Sequence, residues 1–467
     1  MFRNGKGKII CACLIAVIAV IVILAVFLRN DLQDIAATFG DAEAKYELAE
    51  KYRLGLGEKK IDPVRAAKWY RKAADQGLAA AQYWLGVSYK TGRGEMVDAS
   101  EAERLFGIAL PGLLEGAEKG NPRDQLVLGG CYQSGDGVAK DEAEGVKWIR
   151  KAAEQGYAPA QCDLSSSFLQ GRGVTQDYSE AVKWVRKAAE TGDPIGQYIL
   201  GSCYENGYGV EKDWNEALTW YSKAADQGLA AAQFRIGWHF LQASSHDNDK
   251  GQEEGLKWLR KAADKRYDEA YQVIANTYYL QIRNDEKAHL KWVRKAADEG
   301  CAFGQVTLAS YYQHGIYVKQ DGKAHLKWLR KAAEAGGKWP QYALAGYYLN
   351  GKYVKQDEKE GMKWLRRAAE QGYIDAQVDL GIRCLNGDGV PKDEAEAKRW
   401  FGKAFETSSE WAEQGDFSGQ YGLGVCYEYG YGVEKDLDKA LEWYRKADAH
   451  HIVDERLKDA LKRLGSE

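Results

Sequence analysis

The chain has 467 residues, of which 65 are basic and 68 acidic, for a net charge of −3; 45% are apolar and 12% aromatic. Charge this balanced, with no basic stripe interleaved with aromatics, gives no electrostatic basis for nucleic-acid binding. The composition is that of a folded protein and excludes low-complexity tracts.

Residues 1–8 form a short basic segment carrying Arg3, Lys6 and Lys8. Ile9 to Leu28 follows, twenty residues without a charge or a polar amide. A helix of that length rises about 30 Å, the thickness of the hydrocarbon layer. The leading Lys/Arg bias predicts a single-pass anchor with a cytoplasmic N-terminus and everything downstream extracytoplasmic, periplasmic if the source is bacterial. A cleaved signal peptide is the competing reading. Its apolar core is usually shorter and ends at a small-x-small site, whereas Ala25-Val26-Phe27 ends in a bulky residue. Residues 29–40 read as a linker.

From Asp41 to His450 one pattern repeats, most visibly in its tryptophans. Trp148, Trp184, Trp220, Trp258, Trp292, Trp328, Trp364 and Trp400 are spaced 36, 36, 38, 34, 36, 36 and 36 residues, and Trp69 and Trp443 extend the series. The span holds eleven units of 36 residues, two of them with seven extra. A period in this range signals a solenoid of stacked supersecondary units.

Each unit reads as two helices. The first, as in Ala79–Gly92, carries a small residue at one fixed place: Ala49, Gly86, Gly129, Ser165, Gly201, Gly237, Ala275, Ala309, Ala345, Gly381 and Gly424. Mid-helix glycine costs about 1 kcal/mol against alanine, so its reuse predicts close approach of a neighbouring helix. A bulky residue at Gly201 is expected to clash with the adjacent unit, at a cost of about 1–3 kcal/mol or more. A Gly-x-Gly-Val connection follows, as in Gly135-Asp136-Gly137-Val138; it supplies positive φ at a helix C-terminus. No strand precedes it and no Lys-Ser/Thr closes it, so it is not a phosphate loop.

The second helix opens on an aspartate: Asp141, Asp177, Asp213, Asp321, Asp357, Asp393 and Asp436 are N-caps by position. Several have glutamate at capping-box spacing, as in Asp141…Glu144 and Asp177…Glu180. These acidic pairs are caps rather than general acid/base couples. The tryptophan follows, then Lys-Ala-Ala and a closing glycine, as in Arg71-Lys72-Ala73-Ala74 and Gly77. The tryptophans are expected to form the core between layers.

The whole pattern, Ala-x-x-x-Leu-Gly-x-x-Tyr-x-x-Gly-x-Gly-Val-x-x-Asp-x-x-x-Ala-x-x-Trp-Tyr-x-Lys-Ala-Ala-x-x-Gly, resembles the Sel-1-like repeat, a relative of the tetratricopeptide repeat, over about residues 41–450. The resemblance implies an all-α fold: an α/α superhelical solenoid of about eleven helix-turn-helix repeats with first helices on the concave side, here preceded by one transmembrane helix. It implies an adaptor for protein complexes. Some cysteine-rich secreted relatives are described as binding or hydrolysing β-lactams. They carry a paired cysteine in each repeat, which this chain lacks.

Departures from the pattern mark particular units. The seven-residue insertions, at 106–125 and 401–420, are close to two helical turns and lengthen the second helix without turning its apolar face. Pro111-Gly112 is expected to kink or split the first. Units 6 and 7 lose the glycine loop, at 244–249 and 281–285, where a local change of curvature is expected. His289 and His325 replace the small residue three before the tryptophan. They read as packing histidines, since no third ligand stands at metal-binding spacing. Residues 452–464 read as an amphipathic helix capping the stack, in a C-terminal segment 451–467.

The eight cysteines share no recurrent spacing and no CxxC, so they read as buried thiols. No Ser-x-x-Lys, Gly-x-Ser-x-Gly or His-Glu-x-x-His is present. The reading is therefore a non-enzymatic, membrane-tethered scaffold for protein or peptide partners, with no cofactor and no metal. Trp84, Trp238, Tyr311 and Tyr347 stand at variable first-helix positions and are the candidate partner-binding anchors. A glycan- or peptidoglycan-binding envelope protein is the alternative, and a β-lactam-acting hydrolase a more remote one.

Overall fold

The computed structural model describes residues 37, 40–95, 97–243, 249–280, 285–448 and 455–464. The apolar segment 9–28 lies outside them, as do the altered connections at 244–248 and 281–284. Among the described residues there are twenty-three helices and no strand, and no helix is long and apolar enough to cross a membrane. They divide into two compact units, one ending at Asp285 and one beginning at Glu286.

Within each unit the helices alternate as first and second members of hairpins. Helix Pro194–Asn206 followed by Trp214–Asp226 is typical, thirteen residues each. Most hairpins pack more closely on themselves than on the next repeat. First helices of successive repeats also touch, as Ala158–Gln170 does with both Pro122–Ser134 and Pro194–Asn206. Second helices pack chiefly against first helices. In the N-terminal unit that asymmetry sets the first helices on the inner side.

The hairpin core is displaced by one residue from the tryptophans. The residue after each tryptophan is the one sealed inside: Tyr70, Ile149, Val185, Tyr221, Leu365, Phe401 and Tyr444 are at most 1% exposed. The recurrent small residue makes room for it. A methyl group built on Gly201 would stand 2.8 Å from the Tyr221 ring, and one on Gly381 2.8 Å from Phe401. Both partners lie in the same repeat, so the clash expected at Gly201 is with its own second helix and not with the adjacent unit. Of the ten repeat indoles, Trp69, Trp184, Trp328, Trp364 and Trp400 are buried and the others half-buried. Each has the Lys or Arg three residues later over its ring, 3.6–5.1 Å from the centroid. Half of the indoles thus belong to the core, as expected, and the other half flank it beneath a cation. One helical turn brings i and i+3 together, and the ring quadrupole attracts the cation.

Caps and turns follow the sequence closely. Asp141 Oδ1 accepts from the Glu144 amide at 2.9 Å, and Asp177, Asp357, Asp393 and Asp436 do the same in their repeats. Each aspartate amide donates back to the preceding helix, Asp141 to Tyr132 O at 2.8 Å and Asp213 to Tyr204 O at 2.9 Å. That bond replaces the returning half of a capping box. The glutamates instead pair forward, Glu144 with Lys147 at 2.7 Å and Glu180 with Lys183 at 2.6 Å.

The two insertions give second helices of 20 residues, Ala99–Glu118, and 19, Glu394–Ala412. Pro111 lies inside the first, which runs on through it and is not split. The C-terminal helix Glu455–Leu464 falls one repeat period after the first helix Phe417–Tyr429. It buries Leu457 and Ala460 and packs on the last second helix, Leu437–Asp448.

Candidate interaction surfaces

The concave face of the N-terminal unit is built by first-helix side chains that the hairpin core does not use. Trp84 is half-buried there. It stacks on Tyr70 at 6.3 Å and 16°, and Arg53 covers its ring at 4.7 Å. Arg53 pairs in turn with Glu50, which also accepts from the Tyr70 hydroxyl. Asp163 is open to water, but the protein packed around it pushes its carboxyl up to about 6 against the pull of Arg53. Further along, Arg235 and Glu205 pair at 2.6 Å, and the Tyr221 hydroxyl donates to the same carboxylate at 2.6 Å. Trp238, 36% exposed, stacks on Phe234 at 6.2 Å and 15°. Of the four aromatic anchors it alone is exposed.

In the C-terminal unit Tyr311 and Tyr347 are half-buried, each in a matching cluster. Tyr311 meets His289 and Tyr317, with its hydroxyl 2.6 Å from His289 Nε2. Tyr347 meets His325 and Tyr353. The histidines that displaced small residues therefore fit because aromatic rings fold over them. His325 Nδ1 lies 2.9 Å from Ala309 O, while its buried Nε2 has no hydrogen-bond partner. Burial holds this imidazole below its ordinary pKa. Tyr317 and Tyr353 occupy the second-glycine site of their loops with φ of 57° and 64°. Bulky residues rarely adopt that conformation. Among the described residues no three ligating side chains converge to hold a metal.

A second surface escaped the sequence reading because whole-chain charge concealed it. Between Glu286 and Lys331 nine Lys/Arg stand against four Asp/Glu. Helices Glu286–Asp298 and Gly322–Glu334 carry Ala288 and Ala324 where other repeats have the glutamate that pairs with lysine. Lys291 and Lys327 consequently form no ion pair among the described residues, unlike Lys147 and Lys183. A groove of about 790 Å³ in the same unit is lined by Arg294, Tyr312, Tyr317, Lys319, Asp321, Lys323 and Tyr353. A second, of about 400 Å³, shares Lys323 and Tyr353 and adds Lys327 and Arg330.

Among the described residues the cysteines form no cluster. Cys131, Cys162, Cys203, Cys301, Cys384 and Cys426 are free and buried. Burial pushes the Cys131 and Cys426 thiols up to about 12 and those of Cys203 and Cys384 up to about 11. That leaves little thiolate at neutral pH.

Comparison with known proteins matches this architecture to one family. The Sel1 repeat model matches eleven times, at residues 42–78, 79–110, 122–157, 158–193, 194–229, 230–267, 281–301, 302–337, 341–373, 374–406 and 418–447. Among curated proteins, chitin synthase regulatory factor 3 of Schizosaccharomyces pombe is 30% identical over 125 residues, 27% of this chain and 13% of that protein. DAP3-binding cell death enhancer 1 of Rattus norvegicus is 34% identical over 89 residues, 19% of this chain and 16% of that protein. The chain thus spans less than a fifth of either relative. Among solved structures, a protective antigen of uropathogenic Escherichia coli with an SLR fold is 31% identical, with a TM-score of 0.40 and 93% of each chain covered. A Sel1 repeat protein from Oxalobacter formigenes is also 31% identical, with a TM-score of 0.33 over 76% of this chain and 90% of that one. The chain belongs to the Sel1 repeat family.

Proposed function

We propose that this chain is a membrane-tethered scaffold that holds protein or peptide partners on the first-helix faces of its repeats, without catalysis. Sel1 repeat solenoids are typically protein–protein interaction scaffolds. The observation that carries the reading here is Trp238, left 36% exposed against Phe234 on a face whose neighbouring aromatics are covered. An exposed, pre-stacked indole is the kind of side chain that concentrates binding energy at an interface. Localisation is part of the proposal: the apolar run 9–28 supports a tether with the repeats on the far side of the membrane from the N-terminus.

Crosslinking in intact membranes tests the first part. Wild type is expected to capture partners that Trp238→Ala loses, with the stack still folded by circular dichroism. Identical capture by both would remove the first-helix face from the mechanism. Protease added to sealed vesicles of each orientation tests the tether, since the repeats should be cleaved from one side only.

A further inference from the structure

We propose that the basic grooves along helices Glu286–Asp298 and Gly322–Glu334 bind an acidic, extended peptide segment of a partner. The inference deepens the scaffold reading and rests on it, in that the ligand is a protein.

The absence of a neutralising carboxylate is specific. Elsewhere the lysine before the repeat tryptophan is held by the glutamate three residues earlier, as in Glu144–Lys147, Glu180–Lys183 and Glu360–Lys363. Alanine replaces that glutamate only in these two consecutive second helices among those that keep the lysine between residues 141 and 370. Lys287, Lys291, Arg294, Lys319, Lys323 and Lys327 are all exposed and none is in an ion pair among the described residues. Of the carboxylates nearby, Asp298, Glu299 and Glu334 sit at the far ends of the helices, Glu286 stands in the first turn of the first, and Asp321 is engaged as an N-cap.

The cations are presented in duplicate, one repeat apart. A chain with closely spaced carboxylates can span both sets. The lining also offers contact area. Tyr317 and Tyr353 stand in left-handed loop conformations that place aromatic rings where other loops have only glycine. Lysine and arginine stems with Leu290 supply an apolar floor on which peptide side chains can rest. Positive clusters of this kind recognise acidic motifs by charge complementarity.

The test uses the full chain and a fluorescein-labelled oligo-glutamate peptide, with an oligo-glutamine peptide of equal length as comparison, read by anisotropy. The acidic peptide should bind at low salt and weaken about ten-fold or more when salt is raised several-fold, since exposed charges are screened. Lys291→Glu/Lys327→Glu should weaken binding about ten-fold or more, while Lys147→Glu/Lys183→Glu, with the same change in net charge, should stay within about two-fold. Thermal melts establish that both variants fold. Equal loss in the two variants, equal binding of the glutamine peptide, or no binding at low salt would overturn the proposal. So would polygalacturonate displacing the peptide at lower concentration than unlabelled peptide does, which would assign the surface to acidic sugars. If the charge reversal is inert but Trp238→Ala still loses partners, this inference fails and the scaffold reading stands.

Discussion

A buried glutamine recurs four residues before the small residue of the first helix. Gln125, Gln161, Gln197, Gln233, Gln341 and Gln377 each donate through Nε2 to an alanine carbonyl eight residues earlier, at the end of the preceding repeat's second helix. This bond caps one repeat with the next. The glutamine keeps the 36-residue period, as in Ala-Ala-Ala-Gln at 79–82, but a polar residue in an apolar stretch does not by itself reveal its carbonyl partner. The other half of the amide is satisfied only where the same repeat closes on glutamine: Gln155 donates to Gln125 Oε1 at 2.7 Å and Gln371 to Gln341 Oε1 at 2.7 Å. Gln161, Gln233, Gln305 and Gln377 leave a buried Oε1 without a partner. Ala335 occupies the closing position in the repeat of Gln305 and is exposed. Ala335→Gln should therefore stabilise the protein by about 1 kcal/mol, the usual net value of a hydrogen bond to a buried acceptor. Urea unfolding of the variant would show a raised midpoint at unchanged slope. A lowered or unmoved midpoint would mean that water already serves Gln305. His325 gives a pH dependence with a definite sign. Its folded pKa is depressed by burial, and His314 and Lys352 oppose protonation further. The unfolded chain therefore binds the extra proton, and the contribution of this histidine is present above its ordinary value near 6.5 and lost as pH falls below it. His325→Gln should flatten the fall in stability between about pH 7.5 and 5.5 relative to wild type. Parallel curves would refute it.

At the scale of helices and loops, periodicity revealed the hairpins, their aspartate caps and their glycine turns, because each is a local demand of backbone geometry. It did not place the core to the residue. Tryptophan is the most conspicuous member of the repeat, but the next residue points one hundred degrees further round the helix and is the one that meets Gly201 or Gly381. The sequence expectation at Pro111 is a kinked or split helix, and the split does not occur. The segment continues as one helix from Ala99 to Glu118, and Leu113 and Ala117 beyond the proline are buried in the core, so packing outweighs the lost amide bond. The C-terminal helix, expected as a cap, lies against Leu437–Asp448. Its Arg456 pairs with Asp375 at 2.9 Å, a carboxylate whose side chain is 8% exposed, and reaches the Tyr342 hydroxyl at 3.1 Å. Ser418 also donates to Asp375, at 2.9 Å, and Tyr373 stands against the same carboxylate. Arg456→Ala leaves a buried charge with neutral neighbours only and should destabilise the C-terminal unit by roughly 2–4 kcal/mol. Asp375→Asn in the Arg456→Ala background should recover part of that loss. Absence of recovery in denaturant melts would show that Arg456 acts through packing alone.

Solenoids are ordinarily one-dimensional, each repeat stabilised only by its neighbours. The N-terminal unit departs from that rule. The loop after helix Ala42–Leu54 meets the closing ends of the fifth and sixth repeats: the Gly57 amide donates to Gln227 O at 3.0 Å and the Ile61 amide to Lys265 O at 3.0 Å. The Lys265 ammonium donates to the carbonyls of Gly55, Gly57 and Lys59. Arg266 stands where other repeats close on glycine, at φ of 63°, and pairs with Asp62 at 3.3 Å. No 36-residue pattern could announce contacts across some 200 positions, since they arise from the pitch of the stack and not from any one unit. They tie the otherwise terminal first repeat, which would fray in an open array, to the sixth. Lys265→Met keeps the stem and removes the three ammonium bonds. Hydrogen exchange should then accelerate about ten-fold or more at the Gly57 and Ile61 amides, the change expected for losing one to two kcal/mol of local protection. Amides in the helices of the third and fourth repeats, which touch none of these groups, should keep their wild-type rates. Acceleration spread evenly over the unit would mean that the clasp sustains the whole stack, and unchanged rates at Gly57 and Ile61 would mean that the loop is held by its backbone bonds alone.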